Sequence, residues 1–235
     1  MIPVGDAGEF LRGLEFVADN PGLIWEKTLE HLALSGATIG VAIAIAIPAG
    51  IWLGHLHRGS FLAINVGNVG RALPSLALIA FGLPFFGISF TNVLVALVVL
   101  AVPPMLTNAY TAIDGVDPDA VEAARGMGMT PAQIVWRIEL PLGLPLIFAG
   151  IRTASVYVVA TATIAAIAGG GGLGDIIVNQ ASYRIEGVIG AALCVSVLAF
   201  AVDFAFAGVQ RVFTPPSLRS ALPSLEPDLA PRPAR

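Results

Sequence analysis

Long apolar runs constrain the fold of this chain more than any other feature. A helix needs about 20 apolar residues to cross a hydrocarbon layer of roughly 30 Å, and it satisfies its own backbone polar groups there. Five runs reach this length, near residues 32–53, 61–86, 92–113, 142–168 and 187–209. Hydrophobic residues make up 56% of the chain and charged residues 12%, which is typical of polytopic membrane proteins. The sequence therefore predicts an all-α membrane protein with about five transmembrane helices.

A polar loop, residues 114–141, separates the third run from the fourth. Asp117 followed by Pro118 predicts the start of a short helix within it. An Asp side chain accepts hydrogen bonds from the free N–H groups at a helix start, and proline suits the first helical position. Gly126 and Gly128 predict the end of that helix.

Thr130 and Gln133 form a capping-box pattern, which predicts a second short helix in the polar loop. A spaced motif runs through both predicted helices. Its residues are Glu122, Ala123, Ala124, Gly128, Ile138, Leu140 and Pro141. This motif resembles the cytoplasmic coupling loop found in the membrane subunits of ABC importers. The resemblance implies that the seven residues dock the loop into a cleft on an ATPase subunit, whose closure is then passed to the membrane helices. An ordinary helical loop between two spans is the alternative.

A cytoplasmic polar loop fixes the orientation of the whole chain, with the N-terminus outside and the C-terminus inside. Lys and Arg accumulate on cytoplasmic loops of membrane proteins. Those on the predicted inner side are Arg58, Arg125, Arg137, Arg211, Arg219, Arg232 and Arg235. Those on the predicted outer side are Arg12, Lys27 and Arg184. The excess on the inner side agrees with the orientation.

Three segments divide the chain on this basis. Residues 1–30 are expected to form an external N-terminal tail, in which residues 10–18 are either a short amphipathic helix or a flexible stretch. Residues 31–212 form the transmembrane domain. Residues 213–235, rich in proline and serine, are expected to be a disordered cytoplasmic tail. A cleavable signal peptide is not expected, because the N-terminus lacks a basic leader.

Several residues within the second and third runs are candidates for a permeation path or gate. Arg71 lies inside the second run, just before Pro74 and Ser75. A charge in a span is a functional candidate by default, so Arg71 lies beside a path or, alternatively, reaches the interface or a carbonyl group. Pro104 and Asn108 mark a bent third helix, which either lines a cavity or only packs against its neighbours.

A glycine-rich run, Gly169–Gly172, precedes Leu173, Gly174 and Asp175. It is not a phosphate-binding loop, because that pattern requires Lys and then Ser or Thr after the last glycine. The run is expected on the outer side of the membrane. Gly171, Gly172 and Gly174 are therefore expected to let the chain turn at the external mouth of a path.

Catalytic and metal-binding sites are not predicted. Cys194 is the single cysteine and lies in an apolar run, so neither a disulfide nor a thiolate metal site is supported. His55 and His57 end the first run without acids or cysteines near them in sequence. They are expected to be interfacial loop residues.

A secondary transporter is a competing function class. It requires coupling-ion carboxylates near the middle of the membrane and usually an internal repeat. Among the acidic residues only Asp203 is placed for that role, and it is equally suited to pair with Arg71 or Arg152. The polar loop and its motif are unexplained in such a protein.

Several stretches resemble one branch of ABC importer permeases, the importers of the osmoprotectants glycine betaine, carnitine and choline. The matching stretches are Leu73–Leu78, Glu122–Met129, Glu139–Leu142, Gly150–Ala154 and Gly171–Asp175. The resemblance covers about residues 30–210 and implies a type I importer permease fold like that of methionine importers. Arg71 departs from the osmoprotectant pattern, whereas methionine-importer permeases can carry an arginine at the corresponding position. The alternative substrate is therefore another small solute, such as methionine.

The resemblance also implies partners and a location. ATPase subunits would bind ATP and Mg, and this chain would carry no cofactor of its own. A separate extracellular binding protein would select the substrate, and a second permease subunit, either a copy or a paralogue, would complete the path. The chain is expected in the cell membrane as a multi-pass protein in contact with lipid, and nucleic acid is not expected as a partner.

Overall fold

The computed structural model describes residues 7–57, 61, 65, 67 and 73–213. Every regular element among these residues is helical, as the sequence predicts. In chain order the elements are α1 (Ala7–Asp19), α2 (Pro21–His55), α3 (Ser75–Phe86), α4 (Phe90–Asp114), α5 (Pro118–Gly126), α6 (Pro131–Ile134), a π segment (Val135–Glu139), α7 (Leu140–Thr161), a 3₁₀ segment (Ile164–Ala168), α8 (Leu173–Val178) and α9 (Gln180–Phe213).

Four helical runs in the described part of the chain are long and apolar enough to cross a membrane. They are α2, α4, the continuous run Pro131–Thr161, and α9. These runs correspond to the first, third, fourth and fifth predicted spans. The second predicted span, 61–86, lies mostly outside the described residues before position 73, and its longest described part is the 12-residue helix α3.

Two predicted boundaries need correction. The prediction carried the fourth span to residue 168, but α7 ends at Thr161 and a separate 3₁₀ segment follows. The apolar run continues past the end of the helix, so hydropathy does not detect the break. The predicted tail of residues 1–30 contains α1 and the beginning of α2. The helical alternative for residues 10–18 therefore holds. The predicted tail 213–235 lies outside the described residues after Phe213.

Small buried residues bring α2 and α4 into close contact. Every fourth residue of α2 is small and buried in the series Thr38, Ala42, Ala46, Gly50 and Gly54. A Cβ atom added to Gly50 would lie 2.5 Å from the Cβ atom of Ala109, and one added to Gly54 would lie 2.8 Å from that of Ile113. Small residues at helical spacing allow membrane helices to approach closely. The two helices thus form a tightly packed pair.

The helix α4 also packs against α7, which places α4 at the centre of the bundle. Gly150 of α7 faces Asn108. A Cβ atom added to Gly150 would lie 2.5 Å from the Cβ atom of Asn108. A Cβ atom added to Gly143 of α7 would lie 3.0 Å from the carbonyl oxygen of Ala112. The helix α1 crosses the first turns of α9, where Gly13 and Gly190 meet. The end of the bundle next to the polar loop is called the loop end below, and the opposite end the far end.

Candidate docking loop and membrane path

Both predicted helix starts in the polar loop are present. The side chain of Asp117 accepts a hydrogen bond from the backbone N–H of Asp119, at 3.0 Å. At the start of α6, the Gln133 N–H donates to the Thr130 hydroxyl oxygen at 3.4 Å, and the Thr130 N–H donates to the Gln133 side-chain oxygen at 2.8 Å. These caps satisfy backbone groups that a short helix otherwise leaves free. They hold the loop in a defined shape.

A small apolar core holds α5 against α6. The core consists of Val116, Val121, Ala124 and Ile134, with Met129 and Ile138 packed against it. Gly128 lies between the two helices with a φ of +79°, in the left-handed region. The Gly128 N–H donates to the carbonyl oxygen of Arg125 at 2.9 Å. This backbone geometry reverses the chain so that α6 packs onto α5.

The seven predicted docking residues separate into two groups. Glu122, Ala123 and Gly128 are exposed on the polar loop. The other four contribute to packing: Ala124 is fully buried, and Ile138, Leu140 and Pro141 are partly buried. A surface contact with a partner can therefore involve the first group directly. The second group shapes the loop that presents them, and the docking role of all seven stays a prediction.

Two exposed apolar side chains on the polar loop are not part of the seven-residue motif. Met127 is 74% exposed and Trp136 is 70% exposed. Exposed large apolar groups rimmed by polar residues are typical of protein interaction sites. A tryptophan beside Arg137, outside the predicted spans, is the signal that was available in the sequence. Met127 and Trp136 extend the candidate docking surface beyond the motif.

Two histidines at the loop end of α2 are hydrogen-bonded to carboxylates that are distant in sequence. The expectation that both are loop residues was wrong for His55, which is the last residue of α2. The Nδ1 atom of His55 lies 2.8 Å and 3.0 Å from the two carboxylate oxygens of Glu139. The Nδ1 atom of His57 lies 2.9 Å from an Asp114 oxygen. A carboxylate can only accept, so each Nδ1 carries the proton. Glu139 is 1% exposed, although its neighbours Trp136 and Arg137 face outward.

The predicted path residues near α3 and α4 occupy separate positions. Arg71 lies outside the described residues. Pro74 is the N-cap of α3, and Ser75 is its first residue. The Asn108 side chain donates to the carbonyl oxygen of Pro104 in its own helix, at 2.8 Å. The amide therefore supports the proline-containing part of α4 and packs against α7.

The glycine run forms a polar junction with α2 at the far end. Its turn, residues 169–172, is called the glycine loop below. The Gly172 N–H donates to Glu30 at 2.9 Å. Lys27 donates to Glu30 at 2.8 Å and to Asp175 at 2.9 Å. Gly171 and Gly172 both have positive φ values, +69° and +82°, which other residues rarely adopt.

Gly174, two residues after the glycine run, has no space for a side chain. A Cβ atom on Gly174 would overlap the carbonyl oxygen of Thr163, so α8 lies directly on the chain that follows α7. Nearby, the Nε2 atom of His31 lies 2.9 Å from the carbonyl oxygen of Val159. Gly171, Gly172 and Gly174 thus lie together at the far end of α2. The predicted path residues of α4 and the N-terminus of α3 do not join this cluster.

An ion pair links α7 to α9 within the predicted spans. The Arg152 Nε atom lies 2.5 Å from Asp203 Oδ1, and the Nη2 atom lies 2.6 Å from Oδ2. The sequence left Arg71 and Arg152 as alternative partners of Asp203, and the structure pairs it with Arg152. Ala149, Thr153, Val156 and Gln210 line the same cleft of about 440 Å³.

Metal-type side chains do not form a group of three or more anywhere in the described residues. The polar groups of the candidate site instead bond to one another and to the backbone. Their arrangement joins helices at both ends of the bundle.

Comparison with known proteins identifies relatives across most of the chain. Residues 46–214 match the family described as binding-protein-dependent transport system inner membrane component. The chain is 39% identical over 207 residues to the choline transport system permease protein OpuBB of Bacillus subtilis (strain 168), covering 88% of this chain and 95% of that protein. It is 38% identical over the same length and coverage to the carnitine transport permease protein OpuCB of Listeria monocytogenes. The fold is similar to that of the MetNI methionine ABC transporter in inward facing conformations, with a TM-score of 0.74, 23% identity, and coverage of 83% of this chain and 99% of that chain.

Proposed function

This chain belongs to the family of binding-protein-dependent transport system inner membrane components, and on that premise we propose that it forms the path of an ATP-driven importer for a quaternary ammonium osmoprotectant. It is a membrane permease subunit, and the proposal concerns what it carries and with which partners. Glycine betaine, choline and carnitine are the proposed substrates. The observation that carries the proposal is the 38–39% identity, over 88% of the chain, to permeases named for choline and carnitine.

Substrate selection is assigned to a separate binding protein. A quaternary ammonium group is recognised by several aromatic rings arranged as a cage, through cation–π attraction. This chain has only three Trp and three Tyr. Trp25 and Trp52 lie near opposite ends of α2, and the other four lie in four different elements. The permease would then need a path that accepts the solute rather than a tight site for it.

ATP hydrolysis is assigned to a partner ATPase that docks on the polar loop. Glu122, Ala123, Met127 and Trp136 are exposed there, and the capped helices α5 and α6 hold them on a compact surface. The chain has no phosphate-loop pattern, since its glycine run lacks the Lys and Ser or Thr that would follow. Mg and ATP would be bound by the partner.

A second permease subunit is proposed to complete the path. Large apolar side chains on α9, including Val197, Phe200 and Phe204, are exposed in the single chain. In a membrane these side chains face lipid or another protein. Four to five spans are too few to enclose a path on their own, so two permease subunits side by side would line it. The partner is either a second copy or a paralogue.

The substrate is tested by uptake in cells that lack other osmolyte importers. The complete operon is expressed under salt stress, and labelled betaine, choline, carnitine and methionine are supplied separately. We expect uptake of at least one quaternary ammonium solute, and none when the partner ATPase lacks its phosphate-loop lysine. Uptake of methionine alone would contradict the proposed substrate and favour the alternative solute class. Uptake that persists with the disabled ATPase would contradict ATP-driven import.

A further inference from the structure

Both borders of the polar loop are hydrogen-bonded to the same end of α2. Glu139 closes the loop on the side of α7 and bonds to His55. Asp114 opens the loop on the side of α4 and bonds to His57. His55 is the last residue of α2, so a displacement of the loop acts directly on the end of this helix.

The bond between His55 and Glu139 is the more buried of the two. The Glu139 side chain is almost fully buried, and a buried carboxylate is costly unless it is hydrogen-bonded. The side chains of His57 and Asp114 are 54% and 36% exposed, and exposed pairs of this kind contribute little. The two pairs share their chemistry and differ in burial. The His57 pair is therefore a matched control for the His55 pair.

A π segment places Glu139 in this buried position. The segment Val135–Glu139 interrupts the helical run between α6 and α7. Such segments are rare and occur often at functional sites. The exposed side of this stretch carries Trp136, while Glu139 faces His55 on the inner side. One short element thus carries both a candidate partner contact and a bond to α2.

The far end of α2 is bonded to the glycine loop. Glu30 accepts from the Gly172 N–H, and Lys27 joins Glu30 to Asp175. The helix has 35 residues and spans roughly 52 Å at about 1.5 Å per residue. One helix, with Pro48 inside its second half, therefore connects the polar loop to the glycine loop. The close contacts with α4 at Gly50 and Gly54 keep these two helices together along its second half.

From this arrangement we propose that α2 is a transmission rod, with His55 as the positioning residue that couples the polar loop to it. Movement of the polar loop displaces Glu139, and the bond between Glu139 and His55 transfers this movement to α2. At the other end of α2, Glu30 transfers the movement to the glycine loop. The proposal rests on the proposed function, in which the polar loop meets an ATPase, and on the expectation from the sequence that the glycine loop borders the external mouth. His55 acts through Glu139 and α2, and it is not placed in contact with substrate.

The test uses the complete importer, with its ATPase, reconstituted in lipid nanodiscs. Hydrogen exchange of peptides covering residues 169–174 is measured before and after trapping the ATPase with ATP and vanadate. We expect trapping to change exchange in the unmodified protein and in His57→Ala, and the change to fall by at least half in His55→Ala. No change in the unmodified protein, an undiminished change in His55→Ala, or an equal loss in His57→Ala would each overturn the proposal.

A second measurement separates coupling from folding. In proteoliposomes with binding protein, the ratio of solute imported to ATP hydrolysed is independent of how much protein folds. We expect His55→Ala to lower this ratio by at least about fivefold, the low end of typical coupling between sites. The isosteric Glu139→Gln should lower the ratio less. A double variant that swaps the two residues, His55→Glu with Glu139→His, should restore the ratio. A normal ratio in His55→Ala, or no recovery of the ratio in the swapped double variant, would contradict the proposal.

Failure of the substrate assignment is distinguishable from failure of this inference. Hydrogen exchange after vanadate trapping does not depend on which solute is carried. Import of methionine in place of betaine would contradict the proposed substrate. The hydrogen-exchange experiment would still test the role of His55. The transport ratio would then be measured with the solute that the unmodified importer carries.

Discussion

Arg152 and Asp203 form a two-point ion pair that joins α7 to α9, with N–O distances of 2.5 and 2.6 Å. Charged side chains within membrane spans are rare and pair with one another or face a polar cavity. The pair lines an open cleft and is partly exposed in the single chain. It therefore links two spans and also presents polar groups on the surface of the bundle.

Replacing one member of this pair is expected to destabilise the protein more than replacing both. Asp203→Asn or Arg152→Met leaves an unpaired charge within the membrane, whereas the double variant removes both charges. We expect each single variant to lower the Tm of the purified protein by several degrees, and the double variant to recover most of the loss. Thr153→Val is the control, since Thr153 lines the same cleft and bonds only to its own helix. A loss of Tm in the double variant equal to the sum of the two single losses would show that the pair is not coupled.

The features that the sequence predicted correctly depend on local signals. The capping box at Thr130 and Gln133 involves residues three apart, and the N-cap at Asp117 involves residues two apart. Membrane spans are equally local, because about 20 consecutive apolar residues define each one. Such signals can be recognised in the sequence without knowledge of which helices pack together. They gave the helical class and the outline of the polar loop.

The features that the sequence did not predict depend on distant residues. His55 and Glu139 are 84 positions apart, and Glu30 and Gly172 are 142 apart. Only the packing of α2 against its neighbours brings these groups within hydrogen-bonding distance. The π segment is also invisible to periodicity, because it is only five residues long within a longer helical run. The end of α7 at Thr161 was missed because apolar residues continue beyond it.

The left-handed conformation of Gly128 is expected to limit which residues function at that position. Open space surrounds an added Cβ atom at both Gly126 and Gly128, but only Gly128 has a positive φ. A side chain with a Cβ atom costs roughly 1–2 kcal/mol in the left-handed region. Asn tolerates this region better than other residues. We therefore expect Gly128→Val and Gly128→Trp to weaken co-purification of the ATPase and transport strongly, Gly128→Asn mildly, and Gly126→Ala hardly at all.

Membrane insertion is the control for these four variants, and it should be unchanged. Comparable losses for Gly126→Ala and Gly128→Val would indicate that the surface of the loop matters and that its backbone conformation does not. Full transport by Gly128→Trp would contradict the proposed role of this turn in positioning α5 against α6.

The orientation of the chain is expected to place Ser182 outside the cell and Ala132 inside it. Both residues are exposed, Ser182 near the start of α9 and Ala132 in the polar loop. Single cysteines at these positions, in a Cys194→Ser background, are treated with an impermeant thiol reagent. The cysteine at Ser182 should react in intact cells, and the one at Ala132 only after lysis. The reverse pattern would place the polar loop outside and remove it from the compartment that contains ATP.

Trp136 is expected to contribute more to ATPase binding than any of the buried motif residues. Its side chain is 70% exposed and lies on the polar loop, and tryptophans are enriched among residues that dominate binding energy. Trp136→Ala should therefore cost about 2 kcal/mol of binding free energy or more, which corresponds to roughly 30-fold in Kd. Trp25→Ala is the matched control, because Trp25 is 65% exposed and lies at the far end of the bundle. Affinity for the ATPase is measured with both variants in nanodiscs. Equal affinities for the two variants would remove Trp136 from the interface and leave Glu122, Ala123 and Gly128 as its exposed motif residues.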